Sequence, residues 1–140
     1  MDRKRILLID DEVTFTRILK TYLEQTGRYE VYTANSGREG VTMARIAKPN
    51  LILLDIIMPD LDGSAVAAEL REDEELKRIP VIFLTAVVSR EEATTRSGVI
   101  GGQFFIAKPV GAKDVLGHLE RYLGGQDAVA IPRPEIANGR

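Results

Sequence analysis

The chain has 140 residues, 44% hydrophobic and 29% charged, with no Cys or Trp and a formal net charge of -2. That length and mix suit one soluble domain around a single core, and the lack of Cys excludes disulfides and thiolate metal sites. Without a basic field or a Lys/Arg run, direct nucleic-acid binding is not expected. Because no apolar stretch exceeds strand length, no membrane span or signal peptide is expected either, and the chain is placed in the cytoplasm.

Short apolar runs alternate with longer segments of helical period, the pattern of a parallel sheet with crossover helices, an α/β fold. The first strand is read at Arg5 to Ile9. In the helix that follows, Val13, Ile18, Leu19, Tyr22 and Leu23 form the apolar stripe and Gly27 is the stop signal. Tyr29 to Thr33 alternates in polarity and reads as an edge strand. A second helix spans Gly37 to Ala47, with Asn35 or Ser36 as N-cap and Pro49 beyond its end. Leu51 to Leu54 and Val81 to Leu84 are apolar throughout, as strands covered on both faces should be. The fifth strand is Gln103 to Ala107, and Ser64 to Arg71, Ser89 to Ser97 and Ala112 to Leu123 supply the other helices. A domain over residues 1–123 is therefore expected, followed from Gly124 by a Gly- and Pro-rich tail or linker, 124–140, without periodicity.

The reactive side chains fall at strand ends. Asp10 and Asp11 follow the first strand, Asp55 the third, Thr85 the fourth and Lys108 the fifth. In a parallel sheet these ends share one edge, where open α/β sheets build their sites. Two carboxylates about 4 Å apart repel by roughly 4 kcal/mol at a protein-surface dielectric, so the cluster needs a cation. An all-oxygen, carboxylate-rich cleft suits Mg²⁺. Each residue also has a plainer reading: Asp11 as a helix cap, Asp55 as a turn residue, Thr85 as a strand end, Lys108 as a solvated loop lysine. Their conjunction at four successive strand ends favours a site. His118, with no partner in the pattern, reads as a surface residue, and Met43 and Met58 as packing.

Over Lys4 to about Leu123 the chain resembles the receiver domains of two-component signalling. The residues that carry the resemblance are Ile6-Leu7-Leu8-Ile9-Asp10-Asp11-Glu12, the run from Leu53 through Asp55-Ile56-Ile57-Met58-Pro59 to Gly63, Phe83-Leu84-Thr85-Ala86, and Ile106-Ala107-Lys108-Pro109. The resemblance implies a doubly wound, flavodoxin-like sheet of five strands in the order 2-1-3-4-5, with helices on both faces. It implies that Asp55 accepts a phosphoryl group from a sensor histidine kinase or histidine phosphotransfer protein. Asp11, Asp55 and the Ile57 carbonyl would hold Mg²⁺, with Asp10 acting mainly through a metal-bound water. Thr85 and Lys108 would contact the phosphoryl group, and Phe105, where Tyr is common, would swing inward as Thr85 moves.

The same resemblance implies a cis Lys108–Pro109 bond and admits a phosphorylation-dependent homodimer. It makes the chain a phospho-acceptor switch for a downstream protein or output domain, not a turnover enzyme. Ile57 and Val87, two residues after the acceptor and the threonine, cannot orient a water, which implies slow self-dephosphorylation. Gly98-Val99-Ile100-Gly101-Gly102 departs from the family pattern as a bulky, slightly long connection. Two other classes compete. A haloacid-dehalogenase-like phosphohydrolase is similar at Asp10-Asp11-Glu12-Val13-Thr14, but Glu12 stands where its second Asp is needed and no cap domain is evident. An unphosphorylated pseudo-receiver adaptor would have no need for the retained acceptor, acid pair, Thr and Lys.

Overall fold

The computed structural model describes residues 3–85, 99–100, 103–107 and 111–123. They fall into two compact units, one ending at Phe83 and one beginning at Leu84.

The first unit holds β1 (Lys4–Ile9), β2 (Tyr29–Ala34), β3 (Leu51–Asp55) and the start of β4 (Val81–Thr85), in the order β2-β1-β3-β4. This is the expected arrangement of the first four strands. β1 pairs in parallel with both neighbours, Ile6 opposite Val31 and Leu51, Ile9 opposite Ala34 and Leu54. Ile6 to Ile9 and Leu51 to Leu54 are fully buried, because strands covered on both faces can be apolar without alternation. The connections are α1 (Val13–Gln25), α2 (Gly37–Ala47) and α3 (Gly63–Glu72). Each expected boundary up to Val81 is met within two residues.

The stripe of α1 is a correction. Val13 and Ile18 are exposed at 49% and 58%, and the buried residues are Thr16, Leu19 and Leu23. Thr16 was overlooked as polar, yet its hydroxyl donates to the Val13 carbonyl (3.0 Å) and accepts from the Asn35 amide (3.1 Å). A satisfied hydroxyl can enter the core, and the stripe then rotates away from Ile18. Gly27 ends the segment at φ +79°.

On α2 the buried residues are Gly37, Gly40, Val41, Ala44 and Ala47. A Cβ on Gly40 would lie 2.6 Å from Ile9 Cδ1, so glycine sets how closely this helix approaches β1. Ser36 is the N-cap, its hydroxyl accepting from Glu39 N, and Lys48 closes the helix in the left-handed region at φ +46°. Arg5 donates to the Ala47 and Lys48 carbonyls (2.9 and 2.7 Å), filling acceptors that helix geometry leaves open.

In the second unit, β5 (Val99–Ile100) pairs antiparallel with β6 (Gln103–Ala107), Val99 opposite Phe104 and Ile100 opposite Gln103. The long connection noted in the sequence therefore includes a short strand, one that two residues are too few to signal. The last helix, α4 (Ala112–Leu123), buries Val115 and Leu119. His118, expected at the surface, is partly exposed there, and Arg121 Nη2 lies 3.3 Å from its Nδ1. Burial and then the Arg121 charge lower its pKa, against a smaller opposing effect of Asp114. The expected helix at 89–97, the Lys108–Pro109 peptide and the tail from Gly124 lie outside the described residues.

β2 ends the sheet and so carries an outward row of backbone groups, a template for strand addition. Arg28 and Ala34 accept from Lys4 and Asp10 on the β1 side, so Val31, of opposite parity, faces outward. Both its groups are taken by α1: Lys20 Nζ donates to Val31 O (2.8 Å) and Val31 N donates to Glu24 Oε2 (3.0 Å). The two side chains pair with each other at 3.1 Å. Desolvation pushes the Glu24 carboxyl up, but the Val31 N–H and the Lys20 ammonium outweigh it and hold the pKa below its ordinary 4.5. The carboxylate's contribution is thus complete above 4.5 and is lost as pH falls through the lower folded value. Replacing both Lys20 and Glu24 by Ala should unplug this edge. Sedimentation analysis is expected to show concentration-dependent self-association beyond that of the wild type, and a double variant indistinguishable from it would refute the role.

Candidate functional site

The acids sit where β1 and β3 end. Asp10 follows β1 and is fully buried, Asp11 is exposed, and Asp55, the last residue of β3, is 5% exposed. One carboxylate oxygen from each comes within 4.8 Å of the other two. The sheet explains the meeting, because Ile9 and Leu54 are register partners and the acids are the next residue along each strand.

Local bonds orient each acid. Asp10 N donates to Ala34 O (3.0 Å), and its carbonyl accepts from Asn35 Nδ2 (2.8 Å). Its Oδ1 accepts from Glu12 N (2.9 Å), at the residue that forms the N-cap of α1. Asp11 stands one position earlier and does not cap the helix, which leaves its carboxylate to the cluster. Asp55 Oδ1 accepts from Ile57 N at 3.3 Å.

The loop after Asp55 is held tightly. Gly63 N donates to Ile56 O (2.7 Å), and Asp62 caps α3 by accepting from Ala65 N (3.1 Å). A Cβ on Gly63 would collide with the Asp55 carbonyl oxygen and lie 2.7 Å from Ile56 Cα. Glycine is required there. Met58 is buried as packing, whereas Ile57, two residues after Asp55, is 61% exposed. Asp60 reaches across to α2, its Oδ1 accepting from Gly37 N (3.0 Å) and its Oδ2 from Arg38 N (3.2 Å). The Gly37 bond, foremost, holds the Asp60 carboxyl below its ordinary pKa.

Three carboxylates this close repel by about 3–4 kcal/mol per pair at an effective dielectric near 20. The N-terminus of α1 immediately follows the acid pair, but such a helix end offsets only about 0.3–1 kcal/mol. The donor set therefore fits a divalent cation. Its hard oxygens, two buried and one open to solvent, match a small ion that keeps part of its water, as Mg²⁺ does. Asp10, Asp11 and Asp55 are thus brought together as expected, with Ile57 in the adjoining turn. For Thr85 and Phe105 only the backbone is described, in β4 and β6, and Val87 and Lys108 lie outside the described residues. Sequence reasoning missed Asn35 as more than a capping candidate and passed over Thr16 and Asp60. The available signal was that Asn35 follows β2 at the same sheet edge as Asp10.

Among known proteins, the family model of the response regulator receiver domain matches residues 6–120. The probable transcriptional regulator ycf27 of Cyanophora paradoxa is 39% identical over 115 residues, 82% of this chain but only 46% of that protein. The chain thus spans about half the length of this relative. The polar-differentiation response regulator DivK of Brucella ovis is 34% identical over 122 residues, covering 86% of this chain and 97% of that one. The receiver domain of a sensor histidine kinase from Pseudomonas aeruginosa PAO1 superposes with a TM-score of 0.71 at 27% identity, covering 89% of this chain and 100% of that one. That structure has a magnesium ion coordinated in its active-site cleft. A strand order, an acid cluster and a family match that spans both place this chain in the response regulator receiver domain family.

Proposed function

We propose that this receiver domain takes a phosphoryl group onto Asp55 from a sensor histidine kinase or a histidine phosphotransfer protein, in a Mg²⁺-dependent step. The observation that carries the reading is the meeting of Asp10, Asp11 and buried Asp55 within 4.8 Å at the end of the two central strands. In the transfer, the P–N bond of a phosphohistidine breaks with its electron pair returning to the imidazole. An Asp55 oxygen forms the new P–O bond. Asp11, Asp55 and the Ile57 carbonyl are the assigned metal ligands, with Asp10 acting through water. Mg²⁺, when bound, supplies positive charge to the transferring phosphoryl oxygens. Lys108 is assigned the second cation, Thr85 a hydrogen bond, and Thr85 with Phe105 the surface change read by a downstream protein or output domain.

The receiver is placed at 1–123 and the tail at 124–140. Among the described residues no helix is long and apolar enough to cross a membrane, and a cytoplasmic location is proposed with the rest. Neither a phosphohydrolase nor a silent adaptor is favoured by the family match.

Treatment with acetyl phosphate and Mg²⁺ should add one phosphoryl group to the wild type and none to Asp55→Asn, as read by intact-protein mass spectrometry. Equal modification of both would remove Asp55 as acceptor, and turnover of many equivalents would indicate a hydrolase. The cluster's repulsion gives a second expectation. In metal-free buffer Asp55→Asn should be more stable than the wild type by about 1–2 kcal/mol, less than the Coulomb figure because exposed Asp11 is screened. Saturating Mg²⁺ should reverse the order, and denaturant titrations with no such crossover would refute a cation-dependent cluster. Ile57 and Val87 set the third. Because neither can orient water, Ile57→Asn with Val87→Glu should speed loss of the Asp55 phosphate by about tenfold or more. Wild-type decay as fast as the variant's would contradict it.

A further inference from the structure

The strand ladder ends before the site does. β1 and β3 are in register through Ile9 and Leu54, but Asp10, Asp11 and the loop 56–62 lie at or beyond the last paired residues. The buried strands root the acids, and the segments beyond the ladder have a second tie, because both halves reach the same four residues, 35–38. From the β1 side, Asp10 O accepts from Asn35 Nδ2, which also donates to Thr16 Oγ1 on α1. From the β3 side, Asp60 accepts from Gly37 N and Arg38 N.

The fit at this turn is specific. The first-turn amides of α2 are divided between two caps, Ser36 taking Glu39 N and Asp60 taking the two before it. A Cβ on Gly37 would stand 2.5 Å from Leu61 O and 2.8 Å from Leu61 Cβ. The glycine therefore lets the loop after Asp55 lie directly against the start of α2. A carboxylate at a helix N-terminus also gains from the helix dipole, which favours this docking over a solvated Asp60.

We propose that Asn35 and Asp60 are positioning residues that clamp the Asp10–Asp11 half and the Asp55–Ile57 half of the acidic site to one turn, and so set its affinity for a divalent cation. The inference rests on the functional reading above. Neither residue belongs to the carboxylate cluster itself. Each acts through the backbone it holds, Asn35 on Asp10 and Asp60 on the loop that carries Ile57.

The test uses the full chain with Mg²⁺ alone as probe, read by amide chemical shifts, and amide hydrogen exchange in metal-free buffer. Asp60→Ala and Asn35→Ala should each raise the Mg²⁺ Kd by about tenfold, the usual effect of losing an outer-shell partner. Asp60→Asn, which keeps one acceptor oxygen, should fold and fall between. Asp73→Ala is the control. It removes a comparable carboxylate, one that accepts from Glu75 N and pairs with Arg45 beyond the other end of α3, and should leave the Kd within twofold of the wild type. Without metal, exchange should quicken at Ile57 and Gly63 in Asp60→Ala and at Glu12 in Asn35→Ala. If the variants lose stability yet keep the wild-type Kd or wild-type exchange at those amides, they are helix and turn caps only and the proposal fails. A wild type that takes up no Mg²⁺ overturns the functional reading itself, whereas wild-type binding with unaltered variants overturns only the clamp.

Discussion

Like charge confined at a sheet edge is the constraint from which the rest follows. Asp10 and Asp55 are buried and share with Asp11 a space in which their oxygens lie within 4.8 Å. Relaxed side chains in water would separate. They stay together because each is rooted in a strand whose neighbours cannot move: Ile6 to Ile9 and Leu51 to Leu54 are fully buried and paired in register. Burying a Leu or Ile side chain is worth about 1.5–3 kcal/mol, and eight such residues in two adjacent strands outweigh a few kcal/mol of repulsion at their ends. The apolar core thus holds together a charge cluster whose donor set fits a divalent cation.

The edges of that core are finished by side chains from neighbouring elements. Arg5 fills the carbonyls at the end of α2, Lys20 and Glu24 fill the outward groups of Val31, and Asp60 and Ser36 fill the first amides of α2. A buried or template-forming backbone group left open is costly or invites association. Each bond therefore does more than add a modest increment of stability, since it also closes an alternative.

The alternation of apolar runs with helical segments, and acids at strand ends, are local properties of the chain, which is why four strands, three connecting helices and the cluster of Asp10, Asp11 and Asp55 are legible in the sequence. What escaped depended on tertiary partners. Thr16 is polar by type and apolar by placement, because Asn35 and Val13 satisfy its hydroxyl. Ile18 is apolar by type and exposed, so counting it shifted the α1 stripe. Asp60 looks like one more turn residue, and its role exists only because α2, some twenty residues earlier, presents two amides to it. Val99 and Ile100 form a strand only in company with β6. No periodicity can be read from two residues.

The polarity of the α/β arrangement ties these features together. When a parallel strand runs toward its carboxyl end, the next helix begins at that end, so strand C-termini and helix N-termini share one edge. Asp10 leads into α1, Asn35 into α2 and Asp55 into α3 within eight residues, and all three helices present their electropositive ends there. The opposite edge receives helix C-termini, and there a cation, Arg5, meets the α2 carbonyls. Acids at one edge and Arg5 at the other follow the same field. The residues that bridge the acidic edge, Asn35 and Asp60, use one neutral and one anionic group accordingly: the amide donates to a carbonyl, and the carboxylate accepts from helix amides. Reversing either would set an acceptor against an acceptor or a cation against the positive end of α2. The chemistry of the acidic edge and the chemistry of its supports are therefore set by one direction of chain.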